Sequence, residues 1–202
     1  DLTRSTYRIV KSSASLKKKY KNPSIDTECL FGESFEVENK NGFWCFGKCI
    51  EDNYKGWIKS NVLGNFIDST HVVSTKRTFV FKHPDIKSKM IIYLPLRSKI
   101  KVIEKKDNWA MLDLSLNKNN HFGYILSNHI LHKQEIKQNW VNYAELFLHT
   151  PYRWGGRNSI GIDCSALLQL SKSFSGEYLP RDSNEQFEYF KKAVNYNIIK
   201  DP

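Results

Sequence analysis

One pattern occurs twice in the first 133 residues, and it limits the folds open to them. Val37…Gly42-Phe43-Trp44…Gly56-Trp57-Ile58 is answered by Val102…Asp107-Asn108-Trp109…Gly123-Tyr124-Ile125. Each copy has an alternating strand (34–38, then 99–104) and a turn at Asn41-Gly42 or at 106–108. A Trp-bearing strand, a polar loop (53–56, then 117–120) and Gly-aromatic-Ile complete it. Alternation with period two marks half-buried strands, and the turn dipeptides mark hairpins. A unit of about 60 residues that repeats in this way predicts two small all-β barrels rather than one sandwich. The boundaries fall at 1–67 and 68–133, with Trp44 and Trp109 read as barrel core.

The periodicity changes after His132. Ile136, Trp140, Tyr143, Ala144, Phe147 and Leu148 recur at helical spacing, and Thr150-Pro151 ends the run. A glycine-rich connection, Trp154-Gly155-Gly156…Gly161, leads to a second helix starting near Cys164, with Leu167, Leu168 and Phe174 buried. A third starts with Asp182 or Ser183 as N-cap and turns Phe187 and Phe190 inward. Residues 134–202 thus form a helical region, and the chain is an α+β multidomain protein.

Composition excludes several classes. Apolar residues make up 40% and aromatics 13% of the 202 residues, too rich for wholesale disorder. The longest apolar run, near 90–94, is far short of the ~18 residues of a membrane span, and no apolar h-region follows Asp1-Leu2-Thr3-Arg4. The net charge of +10 invites a nucleic-acid reading. The runs Lys17-Lys18-Lys19 and Lys105-Lys106 are short, however, and no basic helix or zinc-finger spacing accompanies them, so nucleic acid is not an expected partner. A basic surface equally suits an acidic polymer such as cell wall. No ligand spacing for a metal stands out. The four cysteines, Cys29, Cys45, Cys49 and Cys164, do not space as a disulfide framework. With Cys164 as a working thiol, one of the other three stays unpaired, which favours a reducing compartment.

Asp163-Cys164-Ser165, at the start of the second helix, concentrates the chemistry. A thiol there meets the positive end of the helix dipole and unpaired backbone N–H groups, which favour the nucleophilic thiolate and can receive an oxyanion. The competing reading is a small buried hydrophobe, the commonest state of a free cysteine.

The surrounding residues carry a resemblance. Pro151-Tyr152-Arg153-Trp154-Gly155-Gly156-Arg157-Asn158-Ser159-Ile160-Gly161-Ile162-Asp163-Cys164-Ser165 resembles the nucleophile motif of the NlpC-type cysteine peptidases, papain-like enzymes that hydrolyse peptidoglycan peptides. Pro180-Arg181-Asp182-Ser183 and Gln186 resemble that family's second motif. Leu30-Phe31-Gly32-Glu33 and Asp52-Asn53-Tyr54-Lys55-Gly56-Trp57 are similar to stretches of the paired SH3-like domains that precede the catalytic domain in one subgroup. Members of that subgroup are γ-D-glutamyl-L-diamino-acid endopeptidases acting on turnover peptides with a free N-terminal L-Ala.

The resemblance implies that Cys164 is the nucleophile and that Tyr152 places its phenol near the thiol and the oxyanion. Asp163, Ser165, Asp182 and Ser183 would line the pocket for the L-Ala-D-Glu portion. Glu33 and Tyr54 would reach the substrate ammonium from the first barrel. Structural roles stay open: Asp182 or Ser183 as a helix cap, Glu33 in a solvated turn, Tyr54 as barrel packing. A thiol mechanism needs no cofactor, and selection for small free peptides implies a cytoplasmic recycling role.

Two departures stand out. Ala166 replaces the Gly that usually follows Asp-Cys-Ser in the family, a change that suits a helix. The second concerns the general base, which a thiol nucleophile requires and which the family supplies as a His on a strand well after the second motif. None of His71, His83, His121, His129, His132 or His149 matches that position. The expectation is therefore the N-terminal helical part of a papain-like domain, its sheet and catalytic His belonging to a C-terminal segment beyond Lys200-Asp201-Pro202. A non-catalytic module that binds wall peptides is the second reading.

Overall fold

The turn at Gly42 starts the first sheet. The computed structural model describes residues 5–116, 121–136 and 138–193; the 117–120 loop and the Lys200-Asp201-Pro202 end lie outside them. Asn41 pairs with Trp44, so the hairpin turns on Gly42-Phe43, one residue later than the Asn41-Gly42 expected, with Gly42 at φ 56°. Strands β1 (Ser5–Ile9), β2 (Ser13–Leu16), β3 (Thr27–Leu30), β4 (Ser34–Asn41), β5 (Trp44–Cys49), β6 (Lys55–Lys59) and β7 (Leu63–Asn65) build the first unit. Its five-stranded sheet has the order β6-β5-β4-β1-β7, and the β2–β3 hairpin joins it through a Lys17–Trp57 bridge.

The second unit comprises β8 (His71–Val73), β9 (Arg77–Phe81), β10 (Met90–Pro95), β11 (Lys99–Lys106), β12 (Trp109–Asp113), β13 (Phe122–Leu126) and β14 (Ile130–His132), ordered β10-β9-β13-β12-β11-β8-β14. The expected second turn is present, with Asp107 at φ 51° between the paired Lys106 and Trp109.

The tryptophans do not fill the cores. Cys45 and Cys49 in β5, and Ala110 and Leu112 in β12, point inward, so the alternation of the pleat turns Trp44 and Trp109 outward. There Trp44 packs beside Tyr20, and Trp109 meets Phe81 edge to face.

The helical region differs from its sequence pattern in two places. Helix α1 spans only Trp140–Glu145, because the Asn139 side chain accepts from Val141 N at 3.0 Å and sets the first turn there. Ile136 and Phe147 are still buried on that side, while Leu148 is exposed. A short hairpin of β15 (Arg157–Asn158) and β16 (Gly161–Ile162) precedes α2 (Cys164–Lys172), which starts where expected and leads to the buried Phe174; Leu167 and Leu168 are half-buried. Helix α3 (Ser183–Ala193) turns Gln186 inward, leaving Phe187 exposed and Phe190 half-buried, against the inward placement expected. Gln186 takes the inner face because its side-chain amide donates to two carbonyls, Ser165 O at 2.9 Å and Pro180 O at 2.8 Å. No helix among the described residues is long and apolar enough to cross a membrane.

Three apolar cores interlock. The first unit's core holds Ile9, Leu16, Phe35 and Ile58. Phe31, one residue past β3, is buried in the second unit's core with Val80, Leu112 and Ile125. Its neighbour Leu30 packs instead with Leu96, Ala166, Leu170 and Phe174 in the core of the helical region. Gly32 follows at φ 77°, and a Cβ there would overlap the Lys99 carbonyl oxygen.

His71, in β8, is buried beside the perpendicular ring of His132, with Nδ1 at 2.8 Å from Thr70 Oγ1. Burial, then Lys105 and His132, depress its pKa to about 4 against an opposing pull from Glu135. An imidazole neutral in the fold but free to ionise when unfolded gives the unfolded chain the extra proton between pH 6.5 and about 4. Stability therefore falls as pH is lowered through that window. Urea unfolding at pH 7 and pH 4.5 is expected to show a loss of about 2 kcal/mol that His71→Gln removes. An unchanged pH dependence in the variant would exclude His71 as the source.

Candidate active site

Asp163 determines how α2 begins. Its Oδ1 accepts from Ala166 N at 2.9 Å and its Oδ2 from Gly155 N at 3.0 Å, tying the helix start to the glycine-rich loop. Gly155 adopts φ 72° and lies so close to Ile25 and Asp26 that a Cβ would press on both. Arg181, 2% exposed, grips the same carboxylate with Nη1 at 3.1 Å and Nη2 at 2.6 Å. It also donates to Ser165 Oγ at 2.8 Å and, across the boundary to β3, to Thr27 Oγ1 at 2.6 Å. Such a planar fork suits bidentate recognition of a buried carboxylate.

With Asp163 and Ser165 held from behind, Cys164 is left exposed on the front of the helix start. Tyr152 is placed beside it because its strand-like segment bridges in parallel to Ile162. The thiol opens into a cleft of about 230 Å³ lined by Tyr152, Trp154, Asp163, Ser165, Asp182 and Ser183 on one side, and by Lys18, Asp26 and Tyr54 of the first unit on the other. The Lys18 ammonium lies 5.4 Å from the centre of the Tyr54 ring and 3.6 Å from Asp182 Oδ2. Donation to the Tyr54 oxygen and the nearness of that group raise the Lys18 pKa; burial, then Asp182, raise that of the Tyr54 phenol.

Seven of the eight expected site residues therefore meet in one cleft. Glu33 is not among its lining residues. It is 2% exposed, accepts from Leu30 N at 2.7 Å, and pairs with both Nη atoms of Arg157 at 3.0 and 3.1 Å. The carboxylate in the first unit's wall of the cleft is Asp26, which sequence reading missed. It follows the Pro23-Ser24 turn with no motif around it. Arg181 gave a stronger signal, since an arginine between Pro180 and Asp182 that is to be buried needs a carboxylate partner.

The helical region docks on the first unit through charge. Glu28, 3% exposed, accepts at 2.9 Å from Arg153 Nη1 and from Arg157 N, and at 2.7 Å from Asn158 Nδ2. Asp52 accepts from Gln169 of α2 at 3.1 Å. Burial opposes the Arg157 charge, but attraction to Glu33 and Asp52 outweighs it and holds its pKa above the ordinary value. Among the described residues no histidine lines the cleft. The residues grouped closely enough to hold a metal are Cys29, Glu33 and Cys49, buried in the first unit and away from the cleft lining.

Two stretches of the chain match known families. Residues 149–201 match the NlpC/P60 family, and residues 20–63 match the bacterial dipeptidyl-peptidase Sh3 domain. The chain joins an SH3-like domain to an NlpC/P60-like region. Dipeptidyl-peptidase 6 of Lysinibacillus sphaericus is 25% identical over 177 residues, covering 77% of this chain and 64% of that protein. The γ-D-glutamyl-L-lysine dipeptidyl-peptidase of Bacillus cereus is 28% identical over 185 residues, covering 80% and 54%. The chain thus spans between about half and two thirds of the length of these curated relatives. In fold, it is similar to a crystal structure of an NlpC/P60 family protein from Bacillus cereus, with a TM-score of 0.77 at 17% identity, covering 90% of this chain and 76% of the other. An NlpC/P60 endopeptidase from Photobacterium damselae subsp. piscicida superposes with a TM-score of 0.62 at 16% identity, covering 90% and 45%. Among the described residues, α2 and α3 and the short β15–β16 hairpin lie within the stretch that matches NlpC/P60.

Proposed function

We propose that the protein is a cysteine endopeptidase that hydrolyses the γ-D-glutamyl-L-diamino-acid bond of peptidoglycan-derived peptides with a free N-terminal L-Ala. The observation that carries this reading is the exposed Cys164 at the start of α2, facing a wall of the first unit that bears Asp26 and Tyr54. Cys164 Sγ attacks the carbonyl carbon and the tetrahedral oxyanion forms beside Tyr152 and the helix start; its collapse breaks the C–N bond, the amine leaves with a proton, and the thioester left behind is cleaved by water to the acid and the free thiol. A general base completes the cycle; by resemblance it is a His downstream of the second motif, on the sheet of a papain-like domain.

The second β unit is read as a further SH3-like domain, on the repeated pattern of its sequence. The ammonium partner is Asp26 rather than Glu33, whose carboxylate is taken by Arg157. A carboxylate beside the phenol of the buried Tyr54 binds an ammonium well and leaves a neutral N-terminus with an unmatched charge.

The test uses the full-length protein and two synthetic peptides, L-Ala-γ-D-Glu-L-Lys and its N-acetyl form. Acetylation is expected to lower kcat/KM by about 100-fold or more. Asp26→Asn is expected to lower cleavage of the free peptide and leave the acetylated one unchanged. Equal hydrolysis of the two peptides would remove the ammonium site, and no hydrolysis of either would favour a non-catalytic peptide-binding module.

A further inference from the structure

Cys29 and Cys49 are far apart in sequence and were not paired by their spacing. The fold brings them together inside the first unit. Cys29, in β3, and Cys49, the last residue of β5, are each 1% exposed. Their Sγ atoms and a Glu33 carboxylate oxygen all lie within 4.8 Å of one another, and the Cys49 thiol donates to Glu51 Oε2 at 3.1 Å. Cys45, the other buried cysteine, lies four residues back along β5 on the same face, too far along the strand to join this group.

We propose that Cys29 and Cys49 are a disulfide-forming pair, a cross-link that staples together the two segments of the first unit on which the helical region sits. β3 carries Thr27 and Glu28, the partners of Arg181, Arg153 and Arg157. The chain beyond Cys49 carries Asp52, the partner of Gln169 on α2. A bond between the two sulfurs therefore fixes both sides of one docking face at once.

The same cluster fits a metal poorly. Both oxygens of Glu33 already face the Arg157 guanidinium, and Glu51, whose Oε2 lies 3.1 Å from Cys49 Sγ, forms an ion pair with Lys99. A divalent ion would have to displace these contacts beside a buried cation. Cross-linking asks for no ligand from either carboxylate, and it gives up the Cys49 thiol hydrogen bonds to Glu51 Oε2 at 3.1 Å and Glu33 Oε2 at 3.8 Å.

The chemistry balances with a disulfide oxidant such as oxidised glutathione. One thiolate attacks the glutathione disulfide and releases one glutathione. The second thiolate then attacks the mixed disulfide and releases the other, so two protons and two electrons leave the pair. The close approach of the two thiols favours the Cys29 thiolate and disfavours that of Cys49. Burial and Glu33 push both pKa values up, so the reduced pair is protonated. Oxidation is accordingly slow in the folded chain and fast during folding, and the closed bond is shielded from reductant.

The test uses the full chain with Cys164→Ala to remove the exposed thiol. The protein is refolded from denaturant in glutathione buffers of graded redox potential, free thiols are alkylated after acid quench, and peptides are mapped by mass. The expected result is a Cys29–Cys49 linked peptide lighter by two hydrogens with Cys45 alkylated. The thermal midpoint should lie about 5 °C or more above the reduced form, from closure of a loop of about 20 residues. Cys45→Ser should leave both results unchanged. Alkylation of all three thiols throughout the oxidising range would overturn the proposal, as would linkage through Cys45. So would stoichiometric zinc held by the reduced chain and lost in Cys49→Ser.

Discussion

Cys164→Ala in the full-length protein is expected to reduce hydrolysis of L-Ala-γ-D-Glu-L-Lys by at least about 1,000-fold, to the level of the uncatalysed background, while peptide binding survives. The proposed nucleophile is the exposed thiol at the cleft, whereas the groups that shape the helix start lie behind it: Asp163 on Gly155 and Ala166, and Arg181 on Asp163 and Ser165. Removing Sγ leaves that frame in place, so the peptide affinity measured by calorimetry should change by less than about threefold. Residual turnover within tenfold of wild type would refute Cys164 as nucleophile. Loss of binding together with turnover would instead mean that the substitution disturbs the helix start.

Arg157→Met carries the largest expected effect on stability. The guanidinium is 4% exposed, and it meets Glu33 bidentately and the Glu28 backbone carbonyl at 2.7 Å. Deleting one partner of a buried pair leaves the other charge without compensation, at a cost of about 3–5 kcal/mol. In a chain of this size that lowers the thermal midpoint by about 10 °C. Glu33→Gln in the Arg157→Met background should restore part of the loss, because the stranded carboxylate is then gone. A fully additive double variant, or a single variant within 1 kcal/mol of wild type, would show that the pair does not hold the two regions together.

What the sequence made legible was local. Alternation and turn dipeptides located the β4–β5 and β11–β12 hairpins, and the Gly-rich approach to Asp163-Cys164 located the start of α2. Pleat direction was harder to read. Trp44 looks like core by its chemistry, yet its position beside inward-pointing Cys45 places it outside. Phe187 is likewise apolar but exposed, because Gln186 occupies the inner face of α3 and donates to two carbonyls there. Contacts across long separations were invisible. Glu33 and Arg157, Thr27 and Arg181, and Cys29 and Cys49 are paired by three-dimensional closure, and no periodicity encodes which buried arginine meets which acid. Asp26 escaped notice for the same reason: only the fold carries it opposite Cys164.

The step from Leu30 to Glu33 makes the three regions mutually dependent. Four consecutive residues place one side chain in the helical core, the next in the second unit's core, a glycine against the Lys99 carbonyl, and a carboxylate in the buried ion pair. Pulling this segment out of any one neighbour withdraws it from the others. The borders drawn along the chain at residues 67 and 133 are thus seams in sequence but not lines of weakness. The same four residues lie close in sequence to Asp26 in the cleft wall, so the proposed peptide would meet a cleft whose wall is anchored in all three regions.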